Sequence, residues 1–225
     1  FEWPPSTRLS YTLVGNYRGR VEGQAQVEWL RSGSHYQVRL DLSIGPAIAP
    51  LVSRSVWSDG EITGEGLQPR RFDEETRVAF QEPRRVAIVF DGGRVHLPDG
   101  RSLLQPPGVQ DSASQFVQLT WLFTTRPGLL ATGRSVEFPL ALPRSVQGWT
   151  YDVLDHETLY TRFGAVDTLH VKPRREPRPG LEMTAEIWVA PAYQYLPLRI
   201  LIHQSPTTFV DLTIASLPLQ AEPGR

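Results

Sequence analysis

The sequence predicts an all-β fold in which antiparallel strands form one curved sheet, a half-barrel or a sandwich, wrapped around a single central helix. Three observations support this prediction. Apolar and polar residues alternate along most of the chain, which is the period of strands with one wet face. Turn signals rich in glycine, aspartate and proline recur about every eight to twelve residues. Only the segment from about Asp111 to Thr124 has the spacing of a helix.

The first hairpin shows the alternation most clearly. Residues 21–29 alternate apolar side chains with glutamate and glutamine, Ser32-Gly33-Ser34 turns the chain, and residues 36–44 alternate again. Further strands are predicted over residues 9–13, 53–57, 68–72, 77–81, 85–90, 94–97, 102–105, 135–142, 150–161, 165–173, 183–190, 196–203 and 209–217. Because strands precede and follow one helix without β-α-β alternation, the sheet is expected to be antiparallel.

The helix has recognisable boundaries. Pro106-Pro107-Gly108 precedes it, Asp111 and Ser112 are both suitable N-cap residues, and Ser112 with Gln115 has the spacing of a capping box. Arg126-Pro127-Gly128 ends it, because proline disfavours helix at the residue before it. Its apolar surface covers most of the circumference, so it is expected to be buried. It either fills the core of the sheet or flanks a ligand cavity, and it is too short and too polar to span a membrane.

The domain prediction is a single β-rich domain over residues 1–225. Residues 1–7 are expected to be the end of a removed linker, and residues 218–225 a frayed tail. The chain opens on Phe1 without a methionine, and no signal peptide is visible, so a leader or anchor is expected to have been removed.

Composition excludes several kinds of function. The formal net charge is −1, which gives no bulk attraction to nucleic acid. The absence of cysteine excludes disulfides, thiol catalysis and cysteine-ligated zinc. The basic residues are almost all arginine, with Lys172 the only lysine, which we interpret as codon bias.

No catalytic, metal or cofactor motif is present. There is no G-x-S-x-G nucleophile elbow, no glycine-rich phosphate loop and no pair of histidines at metal-ligand spacing. Glu74 and Glu75 are adjacent in the sequence, and neighbours on a strand point to opposite faces, so this spacing does not place two carboxylates at one scissile bond. No catalytic residue, metal or cofactor is therefore predicted. A triad, or a metal site such as His156 with His170, assembled from distant residues is the open alternative.

Two sets of side chains are candidates for ligand binding. Arg70 and Arg71 form a doublet that can bind phosphate or sugar-acid groups bidentately, although arginines that protect a strand edge have the same pattern. The tryptophans lie inside strand or helix patterns, where core packing explains them. If Trp121, Trp188 or others line a cavity, a lipid or acyl ligand is the alternative.

Four motifs occur in a recognisable order. They are Gly66-Leu67-Gln68-Pro69-Arg70-Arg71-Phe72, then Pro107 to Leu119 with Gln110, Asp111, Ser114 and Gln118, then Thr161-Arg162-Phe163-Gly164 to His170-Val171, and finally Glu186 to Pro191 with Tyr195 to Ile200. Together they resemble the bacterial domain-of-unknown-function family 3108, in its betaproteobacterial form. The resemblance covers nearly the whole chain.

The resemblance implies a place in the cell rather than an activity. Members of the family are mostly expected to be exported or anchored envelope proteins of Gram-negative bacteria, some with a membrane segment and a proline-rich linker before the domain. It also implies an all-β architecture similar to a capsule-associated outer-membrane lipoprotein. The expected location is the periplasm, either free or anchored to the inner membrane by a segment outside this chain. No catalytic residue follows from it.

The functional hypothesis is an envelope binding domain that holds a lipid, acyl or other amphipathic ligand, or an envelope polysaccharide, between sheet and helix. Its candidate ligand-binding residues are Arg70, Arg71, Gln110, Asp111, Gln118, Trp121, Trp188 and Arg199. A structural or protein-interaction module of the envelope, and an envelope hydrolase with a site assembled from distant residues, are the two alternatives. No nucleic-acid partner is expected, and the sequence makes no prediction about oligomeric state.

Overall fold

One long antiparallel sheet organises the molecule, as predicted. The computed structural model describes residues 6–220, and fifteen strands within them belong to a single sheet. The strands are β1 Ser6–Asn16, β2 Arg20–Ser32, β3 His35–Ile44, β4 Val52–Thr63, β5 Gly66–Val78, β6 Arg84–Asp91, β7 Arg94–His96, β8 Ser102–Leu104, β9 Ser135–Leu142, β10 Ser145–Thr161, β11 Gly164–Pro173, β12 Thr184–Ala190, β13 Leu196–His203, β14 Phe209–Ile214 and β15 Leu219–Gln220.

Almost every strand pairs with its neighbour along the chain, so the sheet is a meander. The spatial order runs from β8 back to β1, continues to β14, and then descends to β9. The junction is the pairing of β1 with β14, in register from Tyr11 opposite Ile214 to Asn16 opposite Phe209. The N-terminal and C-terminal halves of the chain therefore meet in the middle of the sheet.

The sheet curls into a barrel that hydrogen bonds between its edge strands do not close. Gln110, in the connection before the helix, pairs with the edge strand β9 instead: its N–H donates to Pro139 O at 2.9 Å, and its carbonyl accepts from Ala141 N at 2.8 Å. Arg101, in the turn after β7, donates to Arg144 O in the turn after β9 at 2.8 Å. These contacts bring the two edges of the sheet together.

One end of the barrel carries the connections β1–β2, β3–β4, β5–β6 and β11–β12, and we call it the mouth end. The registers place them together, since Gly23 lies opposite Ile44, Val52 opposite Val78, and Thr184 opposite His203. The connection between β11 and β12, residues 174–183, is called the strap.

The helix α1, Ser114–Thr125, lies inside the curled sheet, and ten of its twelve residues are buried. It begins three residues later than predicted. The capping box is wrong: Ala113 occupies the N-cap position without a side-chain cap, and the Gln115 amide donates to Ser112 O at 2.9 Å. The Asp111 carboxylate accepts instead from the N–H groups of Ala113 and of Ser114, the first residue of α1. Short 3₁₀ turns follow at Pro127–Leu129 and Pro191–Tyr193.

Three predicted boundaries need correction. Residues 68–72 and 77–81 were predicted as two strands, but β5 is continuous to Val78 and residues 79–83 form a turn. Ser6 and Thr7 belong to β1, and Leu219–Gln220 pairs with β1, so the predicted linker and frayed tail are shorter than 1–7 and 218–225. The remainder of those two segments, residues 1–5 and 221–225, lies outside the described residues.

Candidate functional site

The entrance of α1 is held to β5 by two glutamine side chains. Gln110 Nε2 donates to Leu67 O at 2.7 Å, and Gln118 Oε1 accepts from Leu67 N at 2.8 Å. The two amides thus make the hydrogen bonds to the Leu67 backbone that a neighbouring strand would otherwise make. Gln110 Oε1 is buried without a hydrogen-bond partner among residues 6–220.

Asp111 is the centre of a sealed polar network. Its carboxylate accepts from Ser58 Oγ at 2.6 Å, Ala113 N at 2.9 Å and Ser114 N at 2.7 Å. Burial raises the pKa of Asp111 to about 6, although these hydrogen bonds pull it downward. Because Asp111 is 0% exposed, a substrate does not reach this carboxylate in the observed conformation. Asp111 therefore does not supply the accessible carboxylate that the hydrolase alternative requires.

The rest of α1 is fixed by the same kind of contact. Tyr151 donates to Gln115 Oε1 at 2.6 Å, and Thr120 Oγ1 donates to Tyr195 O at 3.2 Å. Trp121 is packed in the hydrophobic core. The structure therefore brings Gln110, Asp111, Gln118 and Trp121 together around the helix, each in contact with protein groups, and their ligand-binding role stays a prediction.

Trp188 and Arg199 also come together, but on the outer face of the sheet. They are opposite each other on β12 and β13, and the Arg199 guanidinium lies 4.2 Å from the centre of the Trp188 ring. His170 stacks on the same ring at 4.2 Å. Trp188 is only 3% exposed as a result, so its ring offers no free face to a ligand in this conformation. Arg199 is bound bidentately by Asp211 at 2.9 and 2.7 Å.

Two glutamates complete this outer ladder. Glu157 accepts from Trp188 Nε1 at 2.8 Å, and Glu186 lies 2.7 Å from His170 Nε2. Burial pushes the pKa of Glu186 upward, but the hydrogen bond with His170 and the nearby Lys172, His170 and His203 outweigh it, so the pKa is lowered. The ladder is a network of side-chain contacts across five strands, β10 to β14.

Arg70 and Arg71 lie away from both clusters. Arg70 pairs with Glu61 at 3.2 Å, and Arg71 binds Asp73 bidentately at 2.6 and 2.7 Å. Both guanidinium groups are more than half exposed. At Arg71 the edge-protection interpretation is wrong, since Arg71 lies opposite Val89 of β6 and β5 is an inner strand there. The pairing with β6 does not reach Arg70, so the interpretation stays a prediction for Arg70.

Sequence reasoning missed Arg54, an arginine that faces inward. It shares its face of β4 with the buried Val56 and Ser58. Its Nη2 donates to Glu74 Oε2 at 2.7 Å, and the two side chains are 26% and 11% exposed. Its Nε is buried without a partner in the described part of the chain. Strand period two, counted from Val52 and Val56, was the signal that placed Arg54 on the inner face.

Arg54 lies at the mouth end, where the strap crosses the barrel. Arg54 is two residues from the end of the β4–β5 ladder, and its Nη1 lies 3.3 Å from Met183 Sδ in the strap. The strap also touches the β9–β10 turn, where Glu182 approaches Ser145 Oγ at 3.5 Å and Arg144 at 3.9 Å. Two open grooves of about 350 and 650 Å³ lie at the same end, the first at the base of the strap beside Arg174 and the second beside the β3–β4 loop at Leu51.

Over residues 6–220, no helix has the length and apolar character needed to cross a membrane. In the same range, no three histidine, aspartate or glutamate side chains stand close enough together to hold a metal ion.

Fold and site together define a class: an open, barrel-like antiparallel sheet plugged by one buried helix. Comparison with known families gives the particular membership. The chain matches the family described as "Protein of unknown function (DUF3108)" over residues 8–208, and it belongs to that family. The resemblance stated from the sequence motifs is thereby confirmed at the level of the family.

A solved structure with a similar architecture supports the fold. The chain is similar to a beta-barrel-like protein of domain of unknown function DUF1849 from Brucella abortus, with a TM-score of 0.64 and 11% identity, covering 98% of this chain and 99% of that one. A DUF1089 family protein from Pseudomonas aeruginosa has a TM-score of 0.40 and 14% identity, covering 77% and 87%. A search of the curated proteins finds no match. The first likeness supports the fold.

Proposed function

We propose that this domain is a non-catalytic binding protein for an amphipathic ligand with an anionic group, which enters at the mouth end of the barrel. The anionic group binds Arg54, and the apolar part lies between the sheet and α1. The observation that carries this proposal is the inward-facing guanidinium of Arg54 at the mouth, with one buried donor unpartnered.

The number of strands in the sheet supports a bound ligand. About eight strands already enclose a space that side chains can fill, and wider barrels hold ligands, channels or plugs. Here fifteen strands curl around α1, which supplies the plug. Because α1 is anchored by Gln110, Gln115 and Gln118, we propose that it stays in place and forms one wall of the site.

The strap is the part of the site that opens. Arg174 and Arg175 anchor its beginning, by Asp152 and by Gly148 O respectively, and Met183 meets Arg54 at its end. Within the described part of the chain, no side chain of residues 176–181 makes a hydrogen bond, so lifting this part costs few interactions. An anion could bind Arg54 while Glu74 stays bound to it, because a guanidinium group has five hydrogen-bond donors.

A titration by calorimetry tests the proposal, with dodecanoate and dodecanol as probes of equal chain length. The variant Arg54→Gln/Glu74→Gln removes both charges and leaves no buried ion unpaired. We expect it to lower dodecanoate affinity about 10-fold or more, from the loss of a charge-assisted hydrogen bond, and to leave dodecanol binding unchanged. Arg71→Gln/Asp73→Asn, an outer pair on the same wall, is the matched control and should behave as wild type.

Equal loss of both probes would show a packing role for the pair, and absence of binding by the wild type would contradict the proposal.

The location of the protein in the cell is a separate proposal. We propose that the domain works in the cell envelope, as the family resemblance implies. Fractionation of cells that produce the full-length reading frame tests this, and recovery in the cytoplasm alone would contradict it.

A further inference from the structure

Two neighbouring loops at the mouth end carry apolar side chains that project into water. Ile48 in the β3–β4 loop and Phe80 in the β5–β6 turn are both fully exposed. Leu51 and Tyr17 add partly exposed apolar surface in the same row of connections. Ile48, Phe80 and Tyr17 line neither groove and have no part in the outer ladder.

The loops are adjacent because their backbones are hydrogen-bonded. Ala79 N donates to Leu51 O at 2.9 Å, and Gly45 N donates to Glu22 O, next to the β1–β2 turn, at 2.9 Å. Residues 45–51, GPAIAPL, include no charged side chain. The tips of the three connections therefore form one continuous row, called the tip row: residues 17–20, 45–51 and 79–85.

The backbone at Phe80 is unusual for so large a side chain. Its φ is 63°, in the left-handed region that bulky residues rarely adopt. Such strain persists where surrounding structure or function requires it. In this turn the conformation accompanies a phenyl ring without protein cover.

The charges beside the tips are mainly basic. The tip row has four arginines, Arg18, Arg20, Arg84 and Arg85, and one acidic residue, Glu82. Arg20 pairs with Glu22 at 3.0 Å and Arg85 with Glu75 at 2.6 Å. In the described chain, Arg18 and Arg84 have no carboxylate within ion-pair distance, so they are free for phosphate.

We propose that the tip row docks on a phospholipid bilayer with anionic head groups, with Phe80 and Ile48 inserted among the lipids and the arginines on the phosphates. Apolar side chains beside basic ones are what an interfacial surface requires. Side chains on separate tips suit a fluid interface better than a second copy, which needs a closely packed face of roughly 800 Å² per partner. This inference does not rest on the proposed ligand, although docking would turn the mouth toward the membrane.

Vesicle flotation tests the inference, with phosphatidylcholine vesicles that contain or lack phosphatidylglycerol. We expect Ile48→Ser/Phe80→Ser to lower the bound fraction at least about fivefold. Arg18→Gln/Arg84→Gln should abolish the preference for phosphatidylglycerol and keep the apolar insertion. The control is Tyr160→Ser, because Tyr160 is 85% exposed and lies beside the β10–β11 turn at the opposite end of the barrel.

Thermal unfolding of each variant shows that the fold is retained. The inference is overturned if wild type does not float, if Tyr160→Ser loses as much binding as the tip variant, or if light scattering shows a dimer that depends on Ile48 and Phe80 in place of vesicle binding.

Discussion

At the scale of single residues, Asp111 makes stability depend on pH. Its pKa is about 6 in the folded protein against an ordinary 3.8, so the folded state holds this proton more tightly than the unfolded state. The stabilisation is complete below pH 3.8 and is lost as the pH rises through about 6. We predict that Asp111→Asn removes this dependence and is up to about 3 kcal/mol more stable than wild type at neutral pH, at about 1.4 kcal/mol per pKa unit.

Urea unfolding at several pH values measures the effect. Asp152→Asn is the control, since hydrogen bonding by Arg174 lowers the pKa of Asp152 to about 2, and its variant should keep the dependence that Asp111 causes. A variant at position 111 that kept the wild-type slope between about pH 4 and 6 would show that another group titrates there.

Gly66 provides a second residue-scale prediction. Gly66 and Gly164 have nearly the same φ, 119° and 121°, but a Cβ at Gly66 would overlap the Gln118 amide, whereas Gly164 has open space. Substituting alanine at either position costs backbone strain. We expect Gly66→Ala to lose about 1–3 kcal/mol more than Gly164→Ala, because the helix must shift from Leu67. Equal losses in denaturant unfolding would show that Gln118 moves without cost.

At the scale of elements, the outer ladder predicts how two arginine pairs differ. Arg199 and Arg71 are both held bidentately by an aspartate, but Arg199 is 28% exposed and also stacks on Trp188, whereas Arg71 is 53% exposed. We predict that Arg199→Lys costs about 1–2 kcal/mol and Arg71→Lys less than about 0.5 kcal/mol. Thermal unfolding of the two variants checks this, and similar small losses would mean that the stack on Trp188 contributes nothing.

The elements show where sequence patterns stop being informative. The strands β2 and β3 were predicted closely because one face is apolar and the other polar along their whole length. The extent of β5 was missed because Glu74 faces inward to Arg54, so the alternation is lost where the strand continues. The start of α1 was misplaced because Asp111 accepts the N–H groups of Ala113 and Ser114 from a turn before the helix, which begins only at Ser114.

At the scale of the whole molecule, a single antiparallel sheet around one helix followed from the sequence, but the arrangement of its parts did not. The pairing of β1 with β14 joins residues about two hundred positions apart, and no local pattern specifies such a register. For the same reason, Gln110 and Gln118 could be picked out as a motif, while their shared partner Leu67 could not. Strand period places Arg54 on the inner face, but its contacts with Glu74 and Met183 depend on how β4, β5 and the strap are arranged, which no local pattern specifies.

The central claim is that the barrel holds an anionic amphiphile at Arg54. Native mass spectrometry of gently purified protein, followed by lipid extraction, tests it most directly. We expect the wild-type protein to carry a bound amphiphile with an anionic group. The variant Arg54→Gln/Glu74→Gln should lose this ligand, and Arg71→Gln/Asp73→Asn should retain it. A wild-type protein that carries no ligand, or a ligand retained equally by the Arg54 variant, would contradict it.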